Sequence, residues 1–311
     1  MAVLLLLAGV YLRIPILVAP PLAPFISDDL GLNQALTGAL TTLPILMLAI
    51  GAMPGSLAIS RIGPRNTLAL AITIMALGSA ARGLVPDAAT LLAASAVMGL
   101  GIAMMQPALP ALLPRWLEPH HIAIGSAIYM NGMLMGEFIG AGITLPVLMP
   151  LLDNSWQATL LAWSLPALLV AAALFLPRRD LSRPAEPPAW LPDWHNPLTL
   201  KLGLLLGLSA SMFFGLHAYM GNLLEQQGHF GKLSEALFCY NIAQVFASLM
   251  MLKMARQWVG RRNLIIWMAA LSILGTAGTI VTEGWWSIAF ATFMSFVAGI
   301  LLILLIALPP L

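Results

Sequence analysis

Residues 40–70 read LTTLPILMLAIGAMPGSLAISRIGPRNTLAL. An apolar run leads into a short basic turn around Gly63, and a second apolar run follows. Extended back to residue 35, the first run is long enough to cross roughly 30 Å of hydrocarbon as a helix. The turn, SRIGPRN, carries Arg61, Gly63 and Arg65. Glycine supplies the positive φ that a tight turn between antiparallel helices needs. Strands of a membrane barrel would instead show short alternating segments. The stretch therefore predicts two membrane-crossing helices joined by a hairpin.

The same pattern recurs along the chain. Spans are expected at 1–26, 35–59, 66–85, 90–113, 122–148, 156–176, 201–224, 234–254, 264–282 and 286–308. The composition agrees: 60% of residues are hydrophobic and 8% charged, where a soluble domain carries about a quarter charged residues. Mean hydropathy is +0.93. Such a chain cannot build a water-facing surface, so the fold class is all-α, a polytopic transmembrane bundle in contact with the lipid bilayer. The first apolar stretch is too long for a signal peptide and lacks a small-residue cleavage site. Cys239 is the single cysteine, which excludes an intrachain disulfide and a cysteine metal cluster.

A proline-rich, charged stretch, RRDLSRPAEPPAWLPDWHNP, interrupts the apolar pattern. It divides the chain into an N-terminal bundle of six helices (1–176), a linker (177–200) and a second bundle of about four helices (201–311). Pro stiffens such linkers into extended sections, and Trp190 and Trp194 suit the headgroup region. A weak repeat supports two halves: RIGPRNTLAL follows the second span and WVGRRNLIIW the eighth, each a basic turn around a glycine, Gly63 and Gly260.

Charge predicts orientation. Arg61, Arg65, Arg115, Arg178, Arg179, Arg183, Lys201, Lys253, Arg256, Arg261 and Arg262 fall in alternate connectors or at their edges. The opposite connectors hold only Lys232 and, near a helix end, Arg82. By the positive-inside rule the first set, the linker and the N-terminus are cytoplasmic, in a plasma (inner) membrane. The pI near 8.9 is then a topology signal, and no nucleic-acid partner is expected.

Polar groups inside spans carry the functional signal. Arg13 lies near the middle of the first span, where a charge costs a few kcal/mol or more and must face a cavity or a partner. Its planar fork suits an anionic substrate; the alternative is a structural ion pair. Glu137 is the mid-span carboxylate of the fifth span, at a similar depth. It is either a proton carrier, because burial favours the neutral acid, or a neutralising partner. Tyr129, Gly132, Gly136 and Gly140 share one face of the fifth span, and the glycines form small-xxx-small spacing for close helix contact. Tyr129 and Asn131 can also reach a cavity. His217, in the seventh span, is either a packing residue or a proton-handling group. Asn241 and Gln244 lie i, i+3 on the eighth span beside Tyr240, and buried amides need water, each other or a ligand. Gln106, followed by Pro107 and Pro110, marks a bent fourth helix. His120 and His121 read as solvated loop, and the methionines as packing.

Several stretches are similar to the major facilitator superfamily, and within it to the branch of cyanate and nitroimidazole transporters. These are LRIP (12–15), LTTLPIL (40–46), GLGIAMMQPALPALLPRWLEP (99–119) and MFFGLHAYMGNLL (212–224). Gln106 stands where that branch commonly has Asn. Glu137 replaces a small or apolar residue, and the region around Ser60 lacks the family's Asp. The resemblance implies two six-helix halves, and it makes the first and fifth helices neighbours, so that Arg13 can pair with Glu137. It also implies twelve helices, whereas this sequence ends within or just past the tenth span; a fragment is the expectation.

The expected function is secondary transport of a small, anionic or polar organic solute, cyanate-like or related. It would proceed by alternating access, with a proton as a candidate co-substrate, no cofactor or metal, and a monomeric protein. Arg13, Gln106, Tyr129, Asn131, His217, Asn241 and Gln244 are the candidate solute-binding residues. A membrane-embedded enzyme would need a constellation such as HExxH, a GxSxG-like serine or paired intramembrane aspartates, and none occurs in the sequence. A helical scaffold or channel is the remaining alternative; the sequence has no repeated filter or charged ring.

Overall fold

The structure is a computed structural model that describes residues 1–118, 121–176, 195–258 and 261–306. His120, Gly260, Trp190, Trp194 and most of the linker lie outside the described residues. Those described are helical or in short connectors, with no strand among them. The chain divides into two compact units, Met1–Leu191 and Pro192–Leu311.

In the first unit, the first span is three pieces: α1 (Ala2–Tyr11), α2 (Ile14–Leu17) and α3 (Ala19–Leu30). Prolines cause the breaks. Pro15, Pro20 and Pro21 lack the N–H that would close helical bonds one turn back. Next comes α4 (Gln34–Arg82), capped by Asn33, whose side chain accepts from the Leu36 N–H at 2.9 Å. Its 49 residues include Gly63 at φ 81°, ψ 159°, which is non-helical. At about 1.5 Å per residue this length exceeds twice a bilayer core. It is therefore two spans turning at Gly63, as the hairpin reading requires.

The unit continues with α5 (Ala88–Trp116), α6 (Ile122–Gly142), a π turn (Thr144–Leu148), α7 (Met149–Leu151) and α8 (Trp156–Phe175). The fifth span, expected as one helix over 122–148, is bent by 51° between Gly142 and Thr144. Pro146 cannot donate to the preceding turn, which accounts for the loosened π geometry there. α5 runs through Pro107, Pro110 and Pro114 without a break.

The second unit contains α9 (Pro197–Gln226), a 3₁₀ turn (Phe230–Lys232), α10 (Leu233–Trp258), α11 (Arg262–Val281) and α12 (Gly284–Ile306). α12 packs against α9, α10 and α11. Eight helices are long and apolar enough to cross a membrane, nine with the bent pair as one span. Counting α4 as two (nine plus one) gives ten among the described residues. Leucines such as Leu77, Leu165, Leu169, Leu204 and Leu274 are exposed on the units, as expected of helices solvated by lipid rather than water.

Packing inside the first unit brings its site together. α1 lies against α6, and α4 against α5 and α8. The α1–α6 approach is close because glycines line it. A Cβ at Gly132 or Gly136 would overlap the Leu6 or Val10 carbonyl, and one at Gly140 would come 3.2 Å from the Ile14 Cα. Gly9 answers from α1, where a Cβ would overlap the Tyr129 carbonyl. The core beside this seam is Val10, Ile14, Val18, Leu22, Ile26, Leu40, Leu91, Met149, Trp156 and Leu160. One end of the unit is tied by Asp29, which accepts from Trp156 Nε1 at 3.0 Å and Gln157 Nε2 at 3.1 Å. At the other end Arg65 donates to the carbonyls of Leu174 and Leu176.

Candidate functional site

The glycine seam places Glu137, next to Gly136, opposite the break in the first span. Arg13 occupies that break, with φ −119° and ψ −41°, between α1 and α2. Its Nε lies 3.0 Å from Glu137 Oε1, and the side chains are 12% and 5% exposed. The second carboxylate oxygen, Oε2, is buried with no hydrogen-bond partner. A buried ion pair is held only if its attraction and hydrogen bonds offset the loss of hydration. Here half of the carboxylate's bonding capacity is unused.

Arg82, expected near a helix end on the outward-facing side, is the last residue of α4 and is only 2% exposed. Its Nη2 donates to the Pro15 carbonyl at 3.0 Å and to Ser79 Oγ at 3.2 Å. The sequence held one signal for this: Arg82 is an arginine set against the charge bias of its own side. The other predicted residues of this unit are dispersed. Tyr129 is half-buried on the α1-facing side of α6, Asn131 is exposed but has polar interactions, and Gln106 is exposed on α5. His121 is exposed, as a solvated loop requires.

In the second unit a separate polar cluster forms between α9 and α10. His217 and Asn241 are each 1% exposed. His217 Nε2 lies 3.2 Å from Asn241 Nδ2, which also donates to the Leu237 carbonyl at 2.7 Å. His217 Nδ1 and Asn241 Oδ1 have no hydrogen-bond partner. Aromatic rings wall the cluster: Tyr240 stacks on Phe213 at 5.1 Å between centroids and meets His217 edge-on at 5.6 Å. The Tyr240 hydroxyl donates to the Phe213 carbonyl at 2.9 Å. Phe213 is the member that sequence reading missed, since an apolar ring in an apolar helix carries no signal. Gln244 is buried, with its side chain against Gly299 of α12. Tyr219 is exposed. A cavity of about 580 Å³ at the α10–α11 turn, lined by Trp258, Arg261, Arg262, Asn263, Leu264 and Trp267, contains none of the predicted residues.

Known proteins place this geometry in a family. The sequence profile of the Major Facilitator Superfamily matches residues 2–310. The chain is 26% identical over 283 residues to the cyanate transport protein CynX of Escherichia coli strain K12, covering 90% of this chain and 73% of that protein. It is 28% identical over 245 residues to the 2-nitroimidazole transporter of the same organism, covering 72% of this chain and 57% of that one. Among solved structures, a bacterial homolog of the human lysosomal transporter Spinster, inward-facing and occupied, superposes with a TM-score of 0.78 at 18% identity. The match covers 97% of this chain and 72% of that one. The D-xylose-proton symporter gives a TM-score of 0.72 at 14% identity, over 96% and 79% of the two chains. These two likenesses speak to fold alone, and the fold agrees with the profile. With its all-helical spans, its two units and a profile match along nearly its whole length, the chain belongs to the Major Facilitator Superfamily of solute transporters.

Proposed function

We propose that this protein is a secondary transporter of a small anionic or polar organic solute, cyanate-like in size and charge. It would work by alternating access, with Arg13 as the anion-binding group. The observation that carries this reading is the Arg13–Glu137 pair at a broken span, in which Glu137 Oε2 has no partner. A pair of this kind can be exchanged: an incoming anion replaces Glu137 at the guanidinium, and the displaced carboxylate takes a proton more readily once its cation is engaged elsewhere. Proton coupling through Glu137 is thus part of the proposal. His217, Asn241 and Gln244 are proposed to offer polar contacts from the second unit, since two buried atoms of that cluster lack partners. Gln106, Tyr129 and Asn131 are proposed to line the path. The relatives named for cyanate and 2-nitroimidazole support a small planar or linear solute. The protein is proposed to act as a monomer in the plasma (inner) membrane with its N-terminus cytoplasmic.

The test is uptake into proteoliposomes of cyanate, formate and acetate, with acetamide as a neutral analogue, with and without a pH gradient. Arg13→Ala is expected to lower anion uptake by about a hundredfold, in line with loss of a buried charge contact. Unchanged uptake by Arg13→Ala would refute the binding role. Glu137→Gln is expected to abolish accumulation driven by the pH gradient while leaving exchange. Accumulation that persists in that variant removes Glu137 from the proton path.

A further inference from the structure

The charges buried in the first unit do not cancel. Arg13 and Glu137 form one neutral pair. Arg82, buried at the end of α4, has polar contacts only with the Pro15 carbonyl and Ser79 Oγ, and its Nε has none. No carboxylate among the described residues pairs with it. The other described charged side chains of the unit are exposed or partly so: Asp28, Asp29, Arg61, Arg65, Asp87, Arg115, Glu118 and Asp153. The interior therefore holds two guanidiniums and one carboxylate, a net charge of +1. Arginine does not escape this by releasing its proton, and an unpaired buried charge is costly.

The placement of the extra charge is specific. The carbonyl that Arg82 engages belongs to Pro15, two residues from Arg13 and within the same broken segment. Pro15 and Pro21 remove the N–H groups that would bond the Tyr11 and Leu17 carbonyls one turn back. Arg82 adds a bond to this broken segment, at the Pro15 carbonyl, from a residue 67 positions away. Arg82 acts on the Arg13 site in two ways: it holds the backbone from which Arg13 departs, and it adds a positive charge that no carboxylate among the described residues of this unit offsets.

Building on the transport reading above, we propose that Arg82 is a positioning and specificity-determining residue that makes the Arg13 site selective for small monoanions. One bound negative charge brings the interior of the unit to neutrality as long as Glu137 is ionised, that is, before the proton step. A neutral solute leaves the excess in place.

The experiment compares variants of the full chain in proteoliposomes, measuring KM and kcat for cyanate and the inhibition of cyanate uptake by acetate and by acetamide. Arg82→Gln removes the charge and keeps an amide donor. It is expected to raise the cyanate KM by about tenfold or more with little change in kcat, and to erase the preference for acetate over acetamide. Arg82→Lys is expected to restore both to within about threefold. Ser79→Asp leaves Arg82 in place but gives it a carboxylate partner, so it is expected to raise KM as Arg82→Gln does, and it serves if Arg82→Gln does not fold. The proposal is overturned if Arg82→Gln and Ser79→Asp keep the wild-type KM, if kcat falls while KM and the acetate preference stay, or if Lys does no better than Gln. Arg13→Ala run in parallel separates the two claims. Loss of uptake there with a wild-type KM in Arg82→Gln overturns this inference alone. Unchanged uptake in Arg13→Ala overturns the Arg13 binding role on which this inference rests.

Discussion

A guanidinium and a carboxylate 3.0 Å apart inside a bundle pose a question that stability and activity answer separately. If the pair only fills space, well-packed apolar residues of similar volume replace it without loss; if it binds solute, they cannot. Removing one member strands a buried charge, which typically costs about 3–5 kcal/mol, whereas replacing both is often neutral or stabilising. Arg13→Met is therefore expected to lower the melting temperature in detergent by several degrees. The double variant Arg13→Met with Glu137→Leu is expected to recover it to the wild-type value or above, with uptake still absent. Melting curves alongside uptake assays check this, and a double variant that transports would reduce the pair to packing. The contact itself was legible only through the family resemblance, which made the two helices neighbours. Sequence alone showed two charges at similar depths.

At the scale of elements, the seam between α1 and α6 sets the distance between those charges. Gly136 meets the Val10 carbonyl backbone to backbone, so an added methyl has no flexible neighbour to displace. Gly136→Ala is expected to destabilise by about 1–3 kcal/mol, the usual cost of overpacking, and to weaken uptake with it. Gly203→Ala on α9, where a Cβ meets nothing within 4 Å, is expected to stabilise by up to about 1 kcal/mol, from helix propensity. Paired denaturation curves decide this, and equal effects at the two sites would contradict it. A cap gives a pH signature. Asp87 accepts from the Thr90 N–H at 2.9 Å at the start of α5, and this bond holds its carboxyl below the usual value near 3.8. A depressed folded-state value means the contribution is present above the unfolded value and lost as pH falls through the folded one. Asp87→Asn is thus expected to lose less stability than wild type on acidification below about pH 4, read from melts across that range. The glycine seam was readable from spacing. The breaks in the first span were not, because a run of apolar residues looks alike whether its helix is continuous or broken, and membrane helices tolerate proline when neighbours satisfy the freed groups. Arg82, whose side chain bonds the Pro15 carbonyl of the broken segment, sits 67 residues away, beyond the reach of any local pattern.

Across the whole molecule the legible features were those that lipid dictates: span number, the turn at Gly63, and the segregation of charge. What lipid does not dictate, such as which polar groups meet inside a unit, came only with packing. The segregation persists within each unit. In the first, Arg61, Arg65 and Arg115 lie at the Gly63 end, and Asp28, Asp29, Asp87 and Asp153 lie at the helix ends opposite. In the second, Lys201, Arg261 and Arg262 stand at one end, and Glu225, Glu235 and Glu283 at the other. Both units therefore make the same prediction about sidedness. Cys239 is the single cysteine, so a Cys239→Ser background permits one reporter at a time. Ser60 and Asn154 are both exposed in connectors or at helix ends on opposite sides of the first unit. In intact cells, Asn154→Cys is expected to react with a membrane-impermeant maleimide and Ser60→Cys to react only after permeabilisation. The reverse pattern would place the basic ends outside, against the bias that cytoplasmic Lys and Arg impose, and labelling of both without permeabilisation would contradict the two-span reading of α4.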